Sequence, residues 1–310
     1  MTGRSYNIVG AGALGAYYGA CLFHAGRPVR FLLRGDFDHV RSHGLRVDSP
    51  AGDLSIAEPE IYPRPEDMPA SDVVLVGLKT TQNPLLGDLL PPVTAQDAVV
   101  LTMQNGLGIE EETARAVPGR TILGGLAFLC SNKLGPGHVK HLDYGPVRLA
   151  EYCPGGGAAG VTPAMEAVAA DLRAGGIRVD LEEDLSVARW KKLVWNVPYN
   201  GLCVVHDCTT DVLMGKEATR RLCEEIMNEV RSIAGAYGHE VSPRFVQAML
   251  DDTAAMAPYK PSMKLDHERG QPLEIDALYE RPIRAAREAG VPCPRIEALY
   301  EELRRLAAAG

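Results

Sequence analysis

The fold of this chain is decided by Tyr6-Asn7-Ile8-Val9-Gly10-Ala11-Gly12-Ala13-Leu14-Gly15. A short run of strand character leads directly into a G-x-G-x-x-G turn, and a helical pattern follows it. In such a turn the first glycine permits the bend, the second leaves room for a pyrophosphate, and the third lets helix and strand pack closely. Backbone N–H groups at the helix start then face the phosphates. We therefore predict dinucleotide binding by Gly10, Ala11, Gly12, Ala13, Leu14 and Gly15; a purely structural glycine turn is the alternative.

Arg34 follows the next predicted strand, Val29–Leu33. It stands near the place where an acidic residue holds the ribose 2′-hydroxyl of NAD. A guanidinium instead suits a 2′-phosphate, because its planar fork donates two hydrogen bonds to phosphate oxygens and stays ionised. We therefore predict NADP(H) as the cofactor. In the alternative, Arg34 is a solvated loop residue and Asp36 or Asp38 takes the acidic role.

The length and charge of the chain limit its class. A chain of 310 residues is longer than one hydrophobic core usually supports, so we expect two domains. The net charge of −8 argues against a general partner for nucleic acids or anionic membranes. The sequence shows neither a signal-peptide pattern nor a long apolar span, which predicts a cytoplasmic protein. The number of subunits stays open, and a homodimer is one assembly consistent with the sequence.

The cysteines do not indicate a metal centre or a disulfide framework. The seven cysteines are scattered, odd in number and without paired C-x-x-C spacing. The three residues that lie closest to a metal-binding pattern are Cys203, His206 and Cys208, and a fourth ligand is missing. We expect reduced thiols and no metal site.

Polar residues follow two predicted strands of a parallel sheet. Ser71–Val76 and Ala98–Thr102 are apolar runs typical of strands buried on both faces. Lys79 comes shortly after the first and Asn105 shortly after the second. Because ligands of open α/β sheets bind outside the carboxyl ends of the strands, we expect both side chains to face a ligand. The alternatives are a solvated lysine and a simple turn at Asn105-Gly106.

The alternation of strands and helices ends near Glu183, and the pattern is helical from Asp184 onward. We predict an α/β Rossmann-type dinucleotide-binding domain over residues 1–183, followed by an all-α domain over residues 184–310.

Several element predictions are specific enough to be checked. Leu45–Val47 and Leu54–Ile56 alternate across a Pro-Ala-Gly-Asp turn and are expected to form a hairpin. The runs Val139–His141 and Val147–Glu151 are expected as two strands joined by a turn. In the second domain, residues 211–237 are expected to form a helix.

Lys192, Asn196 and Asn200 recur at intervals of four in the first helix of the second domain, so they share one face of that helix. One cation and two carboxamides form an unusual row to bury without a ligand, and we expect the row to face a cleft. Pro198 complicates the helix, because it removes one backbone hydrogen bond and should produce a kink. The alternative is a solvated face.

The chain resembles the ketopantoate reductases, also called 2-dehydropantoate 2-reductases, over nearly its whole length. The pieces that carry the resemblance keep the family's order and spacing. They are the glycine motif of Gly10–Gly15, Arg34, Leu78-Lys79, Gln104-Asn105-Gly106, Pro136-Gly137, Trp190-Lys191-Lys192 with Asn196 and Asn200, Ser262-Met263 with Asp266, and Glu274-Ile275-Asp276.

The resemblance implies NADPH-dependent reduction of ketopantoate to pantoate, in the synthesis of pantothenate and coenzyme A. Lys192 would donate the proton, and Glu274 would help to keep it protonated until hydride transfer leaves negative charge on the carbonyl oxygen. The residues implied to bind the 2-oxo acid are Asn105, Asn196, Asn200 and Ser262. Those implied to contact the cofactor, besides the glycine motif and Arg34, are Lys79, Asn105 and Glu274.

The chain also departs from the family pattern. After the second asparagine it has Gly201-Leu202-Cys203-Val204, and Thr210 stands where the family often has a further substrate asparagine. Two alternatives stay open. The first keeps the fold and Lys192 but acts on another branched 2-oxo acid or on a β-hydroxy acid, and the second is a non-catalytic NADPH-binding sensor or scaffold.

Overall fold

The computed structural model describes residues 3–309. The described chain divides into two compact units. The first contains the chain up to Gln104 together with Ile109–Leu185, and the second contains Asn105–Gly108 together with the chain from Ser186 onward.

Ten strands form one sheet in the described part of the first unit. They are β1 (Tyr6–Val9), β2 (Val29–Leu32), β3 (Leu45–Asp48), β4 (Leu54–Ile56), β5 (Glu60–Tyr62), β6 (Ser71–Val76), β7 (Thr94–Thr102), β8 (Thr121–Gly135), β9 (His138–Glu151) and β10 (Val179–Leu181). The helices of this unit are α1 (Ala13–His24), α2 (Phe37–His43), α3 (Leu86–Leu89), α4 (Ile109–Ala116) and α5 (Pro163–Ala174). Short 3₁₀ turns cover Pro65–Asp67, Thr80–Leu85 and Pro91–Val93.

The sheet has the strand order of a Rossmann fold. Strands β5, β2, β1, β6, β7 and β8 are neighbours in that order, and each of these pairs is parallel. Counted along the chain within this set of six, the order is 3-2-1-4-5-6, the doubly wound arrangement. The order reverses at β1, because β2 and β6 lie on opposite sides of it. The carboxyl end of β1, where the glycine motif begins, is therefore the topological switch point at which such sheets bind ligands.

The hairpin prediction is confirmed, whereas the prediction for residues 139–151 is wrong. β3 pairs with β4 in antiparallel register, with Leu45 opposite Ile56 and Val47 opposite Leu54. Residues 138–151, however, form the single strand β9, which runs antiparallel to β8. The turn-like residues are absorbed in an irregularity of this ladder, where Tyr144 has a φ of 61°. A bulge lets a strand continue through residues that would otherwise end it.

The second unit is helical. Its helices are α6 (Leu185–Val205), α7 (Thr210–Met214), α8 (Glu217–Ala236), α9 (Pro243–Ala255), α10 (Ser262–Glu268), α11 (Arg281–Glu288) and α12 (Pro294–Ala309), and one π-helical turn covers Asp276–Glu280. Their buried faces enclose one apolar core, to which α6 contributes Leu193, Val194 and Val197. Together with the sheet of the first unit, this confirms the predicted fold class.

The prediction of a single helix over residues 211–237 is wrong, because the structure has two helices there. Lys216 has extended backbone angles and separates α7 from α8. The apolar period continues across the break, so the pattern alone did not show it. Among the helices of the described residues, none is long and apolar enough to cross a membrane.

Candidate active site

The glycine turn after β1 is closely packed at its first and third glycines. Gly10 has a φ of +95°, and a Cβ there would lie 2.5 Å from the backbone nitrogen of Leu78. A Cβ on Gly15 would lie 2.2 Å from the carbonyl oxygen of Gly10. Both positions therefore need glycine, the first for its conformation and the second for the close approach of α1 to the turn.

The middle glycine faces open space instead. A Cβ on Gly12 would meet no atom within 4 Å. Gly12 is also the residue before α1, where no side chain caps the free backbone N–H groups and no acidic residue occupies the first turn. An open space beside an uncapped, electropositive helix end is suited to a phosphate group. The local structure thus fits the pyrophosphate of a dinucleotide.

Arg34 is exposed just beyond β2, and its Nη2 donates a hydrogen bond to Oε1 of Gln82 at 3.4 Å. Gln82 belongs to the 3₁₀ turn that follows β6. The two strands flank β1, so this pair lies at the switch point of the sheet. Sequence reasoning missed Gln82, because nothing in its local pattern distinguishes it from a loop glutamine.

The carboxylates offered as alternatives to Arg34 are held elsewhere. Asp36 forms an ion pair with Lys133 at 2.6 Å and accepts a hydrogen bond from the backbone N–H of Gly137 at 3.1 Å. Asp38 pairs with Arg41 at 2.8 Å on the surface of α2. The largely buried carboxylate of Asp36 is thus occupied by other partners, whereas the ion pair of Asp38 is exposed to solvent and contributes little.

Lys79 lies partly buried at the start of the turn Thr80–Leu85. That turn is fixed by Asn83, which accepts a hydrogen bond from Gln104 at 2.6 Å and donates one to Glu112 at 2.5 Å. The loops that follow β6 and β7 are thereby joined by a buried chain of side chains. This chain holds the segment that carries Lys79 and fixes Gln104, the residue before Asn105.

Asn105 begins the four-residue segment that is grouped with the second unit. The N–H of Leu107 donates to the carbonyl of Ala277 at 3.1 Å, and Arg281 donates to the carbonyl of Leu107 at 2.8 Å. Gly106 has a φ of +106°, and a Cβ there would lie 2.6 Å from the carbonyl oxygen of Ala277. The segment is therefore anchored on the π-helical turn, close to Glu274 in sequence.

The polar row of α6 is buried. The exposed fractions of Lys192, Asn196 and Asn200 are 8%, 5% and 2%, which is incompatible with the solvated face left open as an alternative. The amide Nδ2 of Asn196 has no hydrogen-bond partner among the described residues. Because leaving a buried donor unpaired costs free energy, this amide is a candidate for binding a ligand.

Asn200 connects α6 to the start of α10. Its Oδ1 accepts a hydrogen bond from the backbone N–H of Met263 at 3.2 Å and lies 3.5 Å from Oγ of Ser262. Its amide donates to the carbonyl of Asn196 at 3.2 Å, and α6 remains continuous across Pro198. Two residues 62 positions apart, Asn200 and Ser262, are thus brought together.

The environment of Lys192 strongly lowers the pKa of its side chain. Burial, followed by the neighbouring positive charge of Arg189, lowers its pKa to about 7, while the carboxylate of Glu274 acts in the opposite direction. A general acid is most effective when its pKa is close to the working pH. Lys192 can therefore hold a proton at neutral pH and release it without a large cost in free energy.

The predicted site residues fall into two groups. The glycine motif, Arg34 and Lys79 belong to the first unit, whereas the second unit contains Asn105, Lys192, Asn196, Asn200, Ser262 and Glu274. In residues 3–309 no three His, Cys, Asp or Glu side chains come together as metal ligands.

Comparison with known proteins gives consistent matches along the chain. The family described as "Ketopantoate reductase PanE/ApbA" matches residues 6–153, and "Ketopantoate reductase PanE/ApbA C terminal" matches residues 184–307. A 2-dehydropantoate 2-reductase from Nostoc sp. is 48% identical over 306 residues, covering 99% of this chain and 96% of its own length.

Two solved structures of proteins named 2-dehydropantoate 2-reductase are also similar. The protein from Geobacter metallireducens has 40% identity and a TM-score of 0.93, with 97% of this chain and 99% of that chain covered. The protein from Methylococcus capsulatus has 30% identity and a TM-score of 0.89, with 98% and 97% covered.

Proposed function

We propose that this chain, which belongs to the ketopantoate reductase family, reduces 2-dehydropantoate (ketopantoate) to pantoate with NADPH. The resemblance noted from the sequence is thereby confirmed, and so is the enzyme class, an oxidoreductase acting on CH–OH groups. The observation that carries the proposal is the buried row of Lys192, Asn196 and Asn200, with one amide donor unpaired and one lysine whose pKa is about 7.

The cofactor is assigned to the sheet domain, residues 1–183. The space beside Gly12 and the uncapped start of α1 would hold the pyrophosphate. Arg34 and Gln82 would hold a 2′-phosphate, and the commitment of Asp36 to other partners favours NADP(H) over NAD(H). Lys79, Asn105 and Glu274 are assigned to further contacts with the cofactor.

The substrate is assigned to the helical domain, residues 184–310, and to Asn105. The unpaired amide of Asn196 and the hydroxyl of Ser262 are neutral donors suited to the carboxylate and hydroxyl of a 2-oxo acid. Asn200 fixes Ser262 through the first turn of α10. Such donors orient a small anion without the tight ion pair that an arginine would form.

Lys192 is assigned as the proton donor. When bound, NADPH would supply a hydride to the carbonyl carbon, and negative charge would develop on the carbonyl oxygen of the substrate. The ammonium of Lys192 stabilises that charge and transfers its proton to the oxygen. Glu274 supports the charged form of Lys192 before transfer, since its carboxylate raises the pKa that burial lowers. The product, pantoate, would serve the synthesis of pantothenate and coenzyme A.

One observation favours a different 2-oxo acid as substrate. Thr210 replaces the further substrate asparagine of the family, and its hydroxyl accepts a hydrogen bond from the N–H of Tyr259 at 3.3 Å. The backbone N–H of Thr210 also donates to the carbonyl of Tyr259 at 3.0 Å. Thr210 therefore fixes the backbone at Tyr259. Because no amide side chain stands at this position, the substrate hydroxyl has one potential hydrogen-bond partner fewer.

The test is turnover of ketopantoate, followed by NADPH absorbance, against other 2-oxo acids. The matched comparison is 3,3-dimethyl-2-oxobutanoate, which lacks only the hydroxyl group of ketopantoate. We expect ketopantoate to have the highest kcat/KM, because buried donors that lose a substrate partner weaken binding strongly. A higher kcat/KM for another acid would identify that acid as the substrate in place of ketopantoate. NADPH binding without turnover of any acid would favour a non-catalytic NADPH sensor.

A further inference from the structure

Lys264 is a buried lysine that the proposed reaction does not use. It lies on α10, two residues after Ser262, and only 1% of it is exposed. Its ammonium forms ion pairs with Asp207 and, at 3.1 Å, with Glu268. Burial alone would lower the pKa of Lys264, but the hydrogen bonds to these two carboxylates raise it above its usual value. A buried ammonium is retained only where such partners hold it, so its position in the fold is well defined.

Asp207, the first partner, is fixed by the end of α6. It has a φ of 49°, and its N–H donates to the carbonyl of Val204 at 3.2 Å. The next N–H, that of Cys208, donates to the carbonyl of Cys203 at 3.1 Å. These two bonds form a Schellman motif, with Asp207 in the left-handed position. The carboxylate that holds Lys264 is thereby attached to the same helix as Asn200.

Two successive residues of α10 therefore form polar contacts with α6 or with the residue that caps its C-terminal end. Met263 donates its backbone N–H to Asn200, and Lys264 pairs with Asp207. α10 has seven residues, which is too short to be stable by itself. Its orientation must come from tertiary contacts, which include the buried side chain of Met263 in the core and the two polar contacts at Asn200 and Asp207.

We propose that Lys264 is a positioning residue, which with Asp207 fixes the first turn of α10 so that the hydroxyl of Ser262 stays beside Asn200. The inference rests on the proposed function, because Ser262 and Asn200 are assigned there to substrate binding. Lys264 itself touches neither the substrate nor the cofactor in this account. Loss of the Lys264–Asp207 ion pair should weaken binding of the substrate in the ground state and in the transition state alike. KM should therefore rise while kcat stays nearly unchanged.

The test is Lys264→Met, which keeps the length and apolar character of the buried stem. The variant should fold, since Asp207 is exposed to solvent and Glu268 keeps its 2.8 Å pair with Lys260. We expect KM for ketopantoate to rise roughly tenfold, the scale of one lost hydrogen bond to a charged group, with kcat within about twofold. The dissociation constant of NADPH should not change. Lys264→Arg, which keeps the charge, should recover part of the loss.

Lys260→Met is the matched control. It removes a lysine from the same network, two residues before Ser262, but this lysine is partly exposed and pairs with Glu268 rather than with Asp207. We expect KM to stay within about twofold of wild type, since exposed ion pairs contribute little. An equal rise of KM in both variants would show that the charge of the network matters and would overturn a specific role for Lys264.

Hydrogen exchange tests the inference without any activity. Amides of Ser262–Glu268 should exchange faster in Lys264→Met and in Asp207→Asn, but not in Lys260→Met, while those of α12 stay unchanged. If wild type does not reduce ketopantoate, the proposed function fails and the exchange result still decides the positioning role. Unchanged exchange in Lys264→Met, or a fall in kcat without a rise in KM, would overturn the inference.

Discussion

The carboxylate of Glu274 raises the pKa of Lys192, opposing the burial and the Arg189 charge that together bring that pKa down to about 7. Glu274 and Lys192 are 82 residues apart in the sequence, and both are buried. Glu274 therefore extends to higher pH the range in which Lys192 stays protonated, although burial remains the largest influence on that pKa.

The first prediction concerns pH. In the proposed reaction the protonated form of Lys192 is the active acid, so kcat/KM for ketopantoate reduction should be level below a pH of about 7. Above that pH it should fall by up to about tenfold per unit. Glu274→Gln removes the influence that raises the pKa, so the falling limb should move to lower pH. Glu217→Gln, at the exposed start of α8, should leave the profile in place. A limb that stays unmoved in Glu274→Gln would contradict the assignment.

The second prediction concerns the unpaired amide of Asn196. Asn196→Leu replaces a buried donor without a partner by an apolar group of similar size. Because such a donor costs about 1–3 kcal/mol, thermal stability should be equal or higher, while KM for ketopantoate rises. Asn228→Leu on α8 is the control, since its amide is already bonded to the carbonyl of Glu224. It should change KM by less than about twofold. A stable Asn196→Leu with normal KM would remove Asn196 from the substrate site.

Local patterns explain why much of the first unit could be predicted from the sequence. The Gly10–Gly15 turn and the Leu45–Ile56 hairpin depend on backbone conformations and side-chain alternation within about a dozen residues. β9 could not be predicted in the same way, because its continuity through Tyr144 depends on pairing with β8. That pairing includes the bulge that accommodates turn-like residues.

The candidate site, too, could be predicted only where local sequence patterns determine it. The spacing of Lys192, Asn196 and Asn200 predicts a shared helix face, and the structure buries that face. α10 was not predicted, since its seven residues follow Pro258 and Pro261 without a clear period, and contacts with Asn200 and Asp207 hold it. Gln82 and Lys264 are likewise defined by partners distant in sequence.

The third prediction concerns cofactor choice. Arg34→Ala should weaken NADPH binding by about 1.5–3 kcal/mol and leave NADH binding almost unchanged, because only NADPH carries the 2′-phosphate. Fluorescence titration of both cofactors measures this. Asp38→Ala is the control, since its carboxylate is paired with Arg41, and it should alter neither affinity. Equal losses for the two cofactors in Arg34→Ala would exclude a 2′-phosphate contact.

The fourth prediction separates the two glycines at the start of α1. Gly12→Val should fold normally, because Gly12 has a φ of −74° and open space around it, but it should lose NADPH binding. Gly15→Val should instead lose the folded sheet domain, because its Cβ would lie 2.2 Å from a backbone oxygen. Circular dichroism with NADPH titration tells these outcomes apart. Normal NADPH binding by Gly12→Val would show that the motif is structural.

The central claim is that Lys192 supplies the proton in the reduction of ketopantoate by NADPH. Its most direct test is the steady-state rate of Lys192→Ala beside that of Lys191→Ala, whose side chain is rotated by about 100° around the same helix. We expect kcat of Lys192→Ala to fall by roughly 100- to 10,000-fold with NADPH binding intact, and Lys191→Ala to keep most of its activity. Normal turnover by Lys192→Ala, or inactivity confined to Lys191→Ala, would contradict the account.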